Sequence, residues 1–348
     1  MDKNIPILGK DKDIKIDMIN KMTDIFDEAT MICYNDLIDE DVENIDVTNY
    51  DKEKGRLNFY ECLFKVIDYF LEEKELKVTD EALQKIDTLL NEFRDYSEEY
   101  GINTEEIRKS LLLLDIKAFK NINFPLYFIT PDIVGMICAM LVDAMFENSE
   151  IKLLDFNFGT GNMVFTLMNH SKNTYHLTGI DNHPLLANVA VHKANMLMTD
   201  INMYYEDALN YITNDIDLFV SDIANFEYEN DNYHSALYDQ GVRYFPYLAI
   251  EHYLKQENPA KYMFLIDSDF FNKEYNEKFR ELINDKATIE ALIVLPRSFF
   301  QNEEDVKSII ILSNIVTDKQ TLVVNLPSLN NKKYFLETLQ KIQKHLKG

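Results

Sequence analysis

The stretch Asp155-Phe156-Asn157-Phe158-Gly159-Thr160-Gly161-Asn162 places an acid and two near-adjacent glycines directly after the apolar run Ile151-Lys152-Leu153-Leu154. Glycine is scarce, nine in 348 residues, so its appearance at 159, 161 and 179 marks points where the backbone must turn sharply or meet a ligand closely. A helix opening there presents unpaired N–H groups suited to a carboxylate or a phosphate. A Gly-x-Gly alone is equally the mark of an ordinary strand-to-helix turn. Two further acids narrow the choice. Asp181 ends the run Thr178-Gly179-Ile180, where a carboxylate can take both hydroxyls of a ribose. Glu206-Asp207 ends the next run, placed to accept a hydrogen bond from an adenine amino group.

Three successive strand ends thus carry acids at the edge where ligands bind in open α/β sheets. A dinucleotide pyrophosphate is poorly served by such a rim, and the third glycine of Gly-x-Gly-x-x-Gly is replaced by Val164. A sulfonium nucleoside with an amino-acid tail suits it better. The sequence therefore favours S-adenosylmethionine over a nicotinamide cofactor.

The elements that must hold these residues follow from periodicity. From about residue 13 to 120 the apolar positions recur at helical spacing, as in Leu83-Ile86-Leu89-Leu90-Phe93, with no convincing strand. Thr79-Asp80 and Asn103-Thr104 offer N-caps, and the acidic stretch Asp39 to Asp51 reads as an exposed loop. After Asn121 the rhythm changes, and Thr130-Pro131 opens a new helix. Strand runs are expected at 151–156, 176–181, 201–205, 217–221, 261–267, 289–295 and 307–313. Helices are expected at 160–169, 184–199, 240–256 and 273–284. The expected fold is α/β: a Rossmann-like, seven-stranded, mostly parallel sheet with helices on both faces, preceded by an all-helical N-terminal domain. The domain boundaries are 1–120 and 121–348. The last two strands leave little room for a helix between them, so one of them should run antiparallel. Residues 319–326 could add an edge strand, and 331–346 a closing helix.

Composition bounds the partners. With 60 acidic and 35 basic residues the formal net charge is -25, and no basic stripe interrupts it. Such a surface repels a polyanion, which disfavours autonomous binding to nucleic acid. A protein partner or a homodimer is the more natural company. Cys33, Cys62 and Cys138 lack metal-ligand spacing and read as buried free thiols of a cytoplasmic protein, with no metal site. The first residues lack a signal-peptide core, and no apolar run is expected to reach the length that crosses a bilayer.

Thr130-Pro131-Asp132, the loop Asp155 to Asn162, Gly179-Ile180-Asp181 and Asp217-Leu-Phe-Val-Ser-Asp222 follow the motif order of N6-adenine DNA methyltransferases. The chain resembles in particular the methylation subunit of type I restriction systems and its shorter YtxK-like relatives. The likeness runs from about 105 to 315, through Leu295-Pro296-Arg297-Ser298-Phe299-Phe300 and the run from Lys307 to Leu312. It implies a class I methyltransferase with S-adenosylmethionine as cofactor. The implied cofactor-binding set is Thr130, Asp155, Phe156, Gly159, Thr160, Gly161, Asn162, Asp181, Asn182, Asp207 and Asp222. The implied catalytic set is Asp222, Ile223 and Phe226.

Two departures bear on chemistry. Phe156, Asn157 and Phe158 replace the usual Pro-Ala-Cys of the cofactor loop, and Phe158 is large enough to narrow the pocket. The tetrapeptide [Asp/Asn]-Pro-Pro-[Phe/Tyr], which holds a flipped adenine by its amino group, here reads Asp222-Ile223-Ala224-Asn225-Phe226. Both prolines are lost and the aromatic residue comes one place late. Asp222 therefore has two readings, an acceptor-orienting residue or a strand-end acid that caps a turn, and the chain is either an active methyltransferase or a cofactor-binding pseudoenzyme acting through protein partners. The stretch after 315 is too short for a separate target-recognition domain. His183, His192 and His252 read as satisfied or incidental. Phe245 and Tyr247 read as core. Phe226, Tyr228 and Tyr233 are open between core and acceptor pocket, and Arg243 between an anionic acceptor and a nearby carboxylate.

Overall fold

The computed structural model describes residues 7–8, 13–42, 52–72, 74–303 and 305–347. The chain divides into two units, Met1–Phe128 with Val189–Thr199 and Ile129–Asn188 with Asp200–Gly348.

Among its described residues the first unit holds α1 (Ile16–Val42), α2 (Lys52–Phe70), α3 (Asp80–Tyr100) and α4 (Thr104–Asn121). The helical spacing read from the sequence buries Ile86, Leu90 and Phe93 along one side of α3. Phe26 meets Phe70 and Phe93 edge-on, at 5.2 and 5.7 Å between ring centres. Both expected caps form. The Thr79 hydroxyl accepts the Ala82 N–H at 3.3 Å, and Asn103 and Glu106 bond each other's backbone in a reciprocal box. His192 stacks on Phe64 at 4.1 Å and pairs with Asp68, while Lys193 pairs with buried Asp115, which also accepts the Tyr60 hydroxyl at 3.2 Å. The thiols of Cys33 and Cys62 are buried and free, as is that of Cys138 in the second unit.

Two expectations for this region need correction. It is not wholly helical, because β1 (Ile7–Leu8) pairs in parallel with β2 (Ile102–Asn103). Gly101, with φ 67, ends α3 and throws the chain into an extended link before α4, which leaves backbone groups free to pair. The acidic stretch from Asp39 begins inside α1, which continues to Val42; residues 43–51 lie outside the described residues.

The second unit alternates strands and helices: α5 (Asp132–Met145), β3 (Glu150–Asp155), α6 (Asn162–His170), β4 (Thr174–Ile180), α7 (Pro184–Met196, which from Val189 on belongs to the first unit) and β5 (Ile201–Tyr204). It continues with β6 (Leu218–Asp222), α8 (Phe245–Tyr253), β7 (Lys261–Asp267), α9 (Asn276–Lys286), β8 (Thr288–Val294), β9 (Lys307–Ser313), β10 (Leu322–Asn325) and α10 (Lys332–Lys347). The sheet order is β10-β8-β9-β7-β6-β3-β4-β5. Strand β9 runs antiparallel between β7 and β8, and the other pairings are parallel. The seven expected strands are all present, and the edge strand brings the sheet to eight. Runs such as Tyr262-Met263-Phe264-Leu265-Ile266 form inner strands because both their faces are covered, so every residue of the run is buried.

The helix expected at 240–256 starts only at Phe245. Ahead of it Gly241 turns left-handed at φ 94 and Tyr244 bridges back to Glu227. One expectation about the bilayer is overturned: Leu126–Met145 spans 20 residues and is apolar enough to cross one by length and composition. Half of that window is buried, and α5 is covered by α6 and α10, so its apolar surface has neighbours within the fold.

Candidate functional site at the carboxyl edge of the sheet

Strands β3, β4 and β5 extend one way from the middle of the sheet, while β6 lies on the other side of β3. The strand order thus reverses between β3 and β6, and the carboxyl ends of strands at such a switch point are where open α/β sheets bind ligands.

The loop after β3 is shaped by its glycines. Gly159 and Gly161 have φ of 58 and 71, and Gly161 caps α6. A Cβ on Gly161 would lie 2.4 Å from Phe165 Cε2, and one on Gly179 would lie 2.7 Å from Phe158 Cδ2. Phe158 is thus packed beneath the loop, 4 % exposed, rather than narrowing the pocket from above. Phe156 is also buried and stacks on Tyr253 at 4.5 Å. Thr160 is buried, and Asn182 is exposed just beyond β4. Asn162 uses its amide on the Thr130 carbonyl at 2.8 Å and on Asp132 Oδ1 at 3.1 Å, fixing the start of α5 to the start of α6.

The strand-end acids are individually anchored. Asp155 is 1 % exposed; its Oδ1 accepts the Ser221 hydroxyl and the Asn157 N–H. Burial pushes its carboxyl up to about 7, although both of those bonds oppose the shift. Asp181 Oδ2 accepts the Gly159 N–H at 2.7 Å and Oδ1 the His183 N–H at 2.8 Å. It therefore ties the glycine loop to the end of β4. Burial raises its pKa, and these two N–H groups pull against that. Asp207 Oδ1 accepts the Leu209 N–H at 2.9 Å, and its Oδ2 accepts the Tyr228 hydroxyl at 2.7 Å.

Asp222 ends β6 with both oxygens engaged. Oδ2 accepts the Thr130 hydroxyl at 2.6 Å, and Oδ1 is paired with the Lys307 ammonium. Burial alone would lower the lysine, but Asp222 and Asp267 more than offset it and hold it above its usual range. The next two residues are held through the backbone: Ile223 N–H donates to the Leu265 carbonyl at 3.2 Å, and Ala224 N–H to Asn157 Oδ1 at 2.7 Å.

Beyond them the chain forms a short antiparallel pairing. Tyr228 N–H donates to the Arg243 carbonyl at 2.7 Å and Phe245 N–H to the Phe226 carbonyl at 3.0 Å. This stacks Phe226, 44 % exposed, on Phe245 at 4.4 Å. Phe245 and Tyr247 are core residues, and so are Tyr228 and Tyr233; the Tyr228 hydroxyl also donates to Asp207. Arg243 makes no ion pair with a carboxylate among the described residues. Its guanidinium lies 3.7 Å from the Tyr238 ring centre and donates to the carbonyls of Tyr238 and Val242.

Three participants were not read as such from the sequence: Lys307, Asn157 and Ser221. Lys307 is a cation heading an otherwise apolar strand, Ser308-Ile309-Ile310-Ile311-Leu312. In an antiparallel strand that start falls on the ligand edge, which is the signal that would have found it.

The sheet matches the fold of class I S-adenosylmethionine-dependent methyltransferases. The structure of a putative enzyme of that class from Listeria monocytogenes superposes with a TM-score of 0.79, at 23% identity, over 95% of this chain and 100% of that one. A type I restriction-modification methyltransferase subunit from Streptococcus thermophilus gives 0.52 at 11% identity, over 94% and 93%. No family model matches the sequence. The chain is 30% identical over 312 residues to the uncharacterized protein YtxK of Bacillus subtilis (strain 168), covering 85% of this chain and 93% of that one, and it belongs to the YtxK family.

Proposed function

We propose that this chain is an S-adenosylmethionine-dependent methyltransferase of the N6-adenine type, acting on a nitrogen acceptor. The observation that carries the reading is the position of Asp222, fastened by Thr130 and, through the Asn157–Ala224 bond, set beside the glycine loop. The residues present fit the cofactor. Gly159 and Gly161, at φ 58 and 71, turn the loop into the start of α6, and acids stand at or just beyond three successive strand ends. Asp181 would hold the ribose hydroxyls, Asp207 with Tyr228 the adenine edge, and the positive end of α6 the amino-acid tail. When bound, the cofactor supplies an electrophilic methyl group. Asp222 would then orient the acceptor nitrogen through lone pairs left by Lys307 and Thr130, and exposed Phe226 would offer an aromatic face to a planar acceptor.

A second reading, a cofactor-binding module without transfer that acts through protein partners, is supported by the engagement of both Asp222 oxygens and by the lost prolines. We place the protein in the cytoplasm, a reading supported by its three buried free thiols. A protein partner or a second copy of the chain is favoured over nucleic acid by the charge of -25. The deciding experiment is transfer of labelled methyl from the cofactor to DNA, RNA and cell lysate. Transfer that Asp222→Ala abolishes supports the enzyme. Cofactor binding without transfer to any of the three supports the second reading.

A further inference from the structure

Asp222, Asp267 and Lys307 share one face of the sheet at its ligand edge. Asp222 is in register with Leu265, Asp267 lies two residues further along β7, and Lys307 stands opposite Asp267 on β9. The lysine reaches back across β7 to Asp222, and only 18% of its side chain is exposed. Asp267 Oδ2 and the Tyr244 hydroxyl are buried beside this group without a hydrogen-bond partner, so the cluster keeps polar atoms unspent.

An unaccompanied pair of carboxylates here would form a hole for a cation. Such a site would draw in an alkylammonium or guanidinium acceptor, whose nitrogen has no lone pair free to attack. The lysine removes one of those two charges while leaving carboxylate lone pairs able to accept an N–H. The same carboxylates keep Lys307 protonated, which bars it from acting as a base.

We propose that Lys307 is a specificity-determining residue that, by cancelling the Asp222 charge beside the point of transfer, selects an uncharged acceptor nitrogen over a protonated one. This rests on the methyltransferase reading above, and the test separates the two. The full chain is titrated calorimetrically with S-adenosylhomocysteine and with sinefungin, the cofactor analogue that carries an ammonium where the transferred methyl would sit. Lys307→Met should tighten sinefungin relative to S-adenosylhomocysteine by roughly tenfold, the scale of one unit charge a few ångströms away when largely screened by water. Asp222→Asn should shift the ratio the other way, and the double variant should return it close to the unaltered value. If Lys307→Met folds poorly, Asp222→Asn carries the same comparison with opposite sign. Unchanged ratios with S-adenosylhomocysteine still bound overturn the inference and leave the methyltransferase reading standing. Failure of the unaltered chain to bind S-adenosylhomocysteine overturns both.

Discussion

Asn157 accepts the backbone N–H of Ala224 at 2.7 Å, and this bond joins the loop after β3 to the loop after β6. The two residues are both departures from the methyltransferase motifs the chain resembles, and they answer one another. A proline at 224 would have no N–H to satisfy and would be stiff by itself. Alanine exposes an N–H and gives up the stiffness, and the asparagine supplies an acceptor for the first while restoring part of the second.

Asn157→Ala should therefore loosen the loop after β6 and lower stability by about 1 kcal/mol, the usual worth of one such bond. Hydrogen exchange at the Ala224 amide is the direct measurement. Faster exchange in the variant is expected, and unchanged protection would mean the tether does not hold the loop.

Asp155 predicts a pH dependence. Its folded pKa of about 7 lies above the ordinary 3.8, so between those values the folded state binds the proton more tightly than the unfolded state. The stability it contributes is fully present below pH 3.8 and is lost as pH rises through 7. Asp155→Asn keeps an oxygen able to accept from Ser221 and Asn157 and has no charge to bury. Urea denaturation across this range should show a shallower decline for the variant; an identical slope would contradict the assignment.

Gly161→Ala tests the cofactor loop. At φ 71 and with Phe165 Cε2 at 2.4 Å from the added carbon, the substitution meets both strain and overlap. A loss of roughly 2–4 kcal/mol is expected by thermal or chemical unfolding. Tolerance within experimental error would mean that the ring of Phe165 moves aside freely.

The parts of this molecule legible in its sequence are those with a local signature. Glycines 159 and 161 marked the loop, the alternation of strand and helix marked the sheet, and the short link between Val294 and Lys307 marked the antiparallel strand. What stayed hidden depends on pairing between distant segments. Lys307 and Asp222 are 85 residues apart and meet only because β9 turns its first residue to the ligand edge. Asn157 looked like a defect until Ala224, 67 residues on, was seen to need it. Leu126–Met145 was missed for a local reason: Thr130-Pro131-Asp132 interrupts the apolar residues, yet by length and composition the stretch reaches what a bilayer requires.

Asp181→Ala should affect ligand binding twice, by removing the ribose acceptor and by releasing the Gly159 N–H. The expected loss in affinity for S-adenosylmethionine is about 1–3 kcal/mol, measured by calorimetry. Unchanged affinity would put the ribose elsewhere.

The most direct test of the whole account is calorimetric titration of the unaltered chain with S-adenosylmethionine, S-adenosylhomocysteine and NAD. Saturable binding of both adenosyl ligands, one per chain, is expected, and none of NAD. Binding of NAD with neither adenosyl ligand would contradict it.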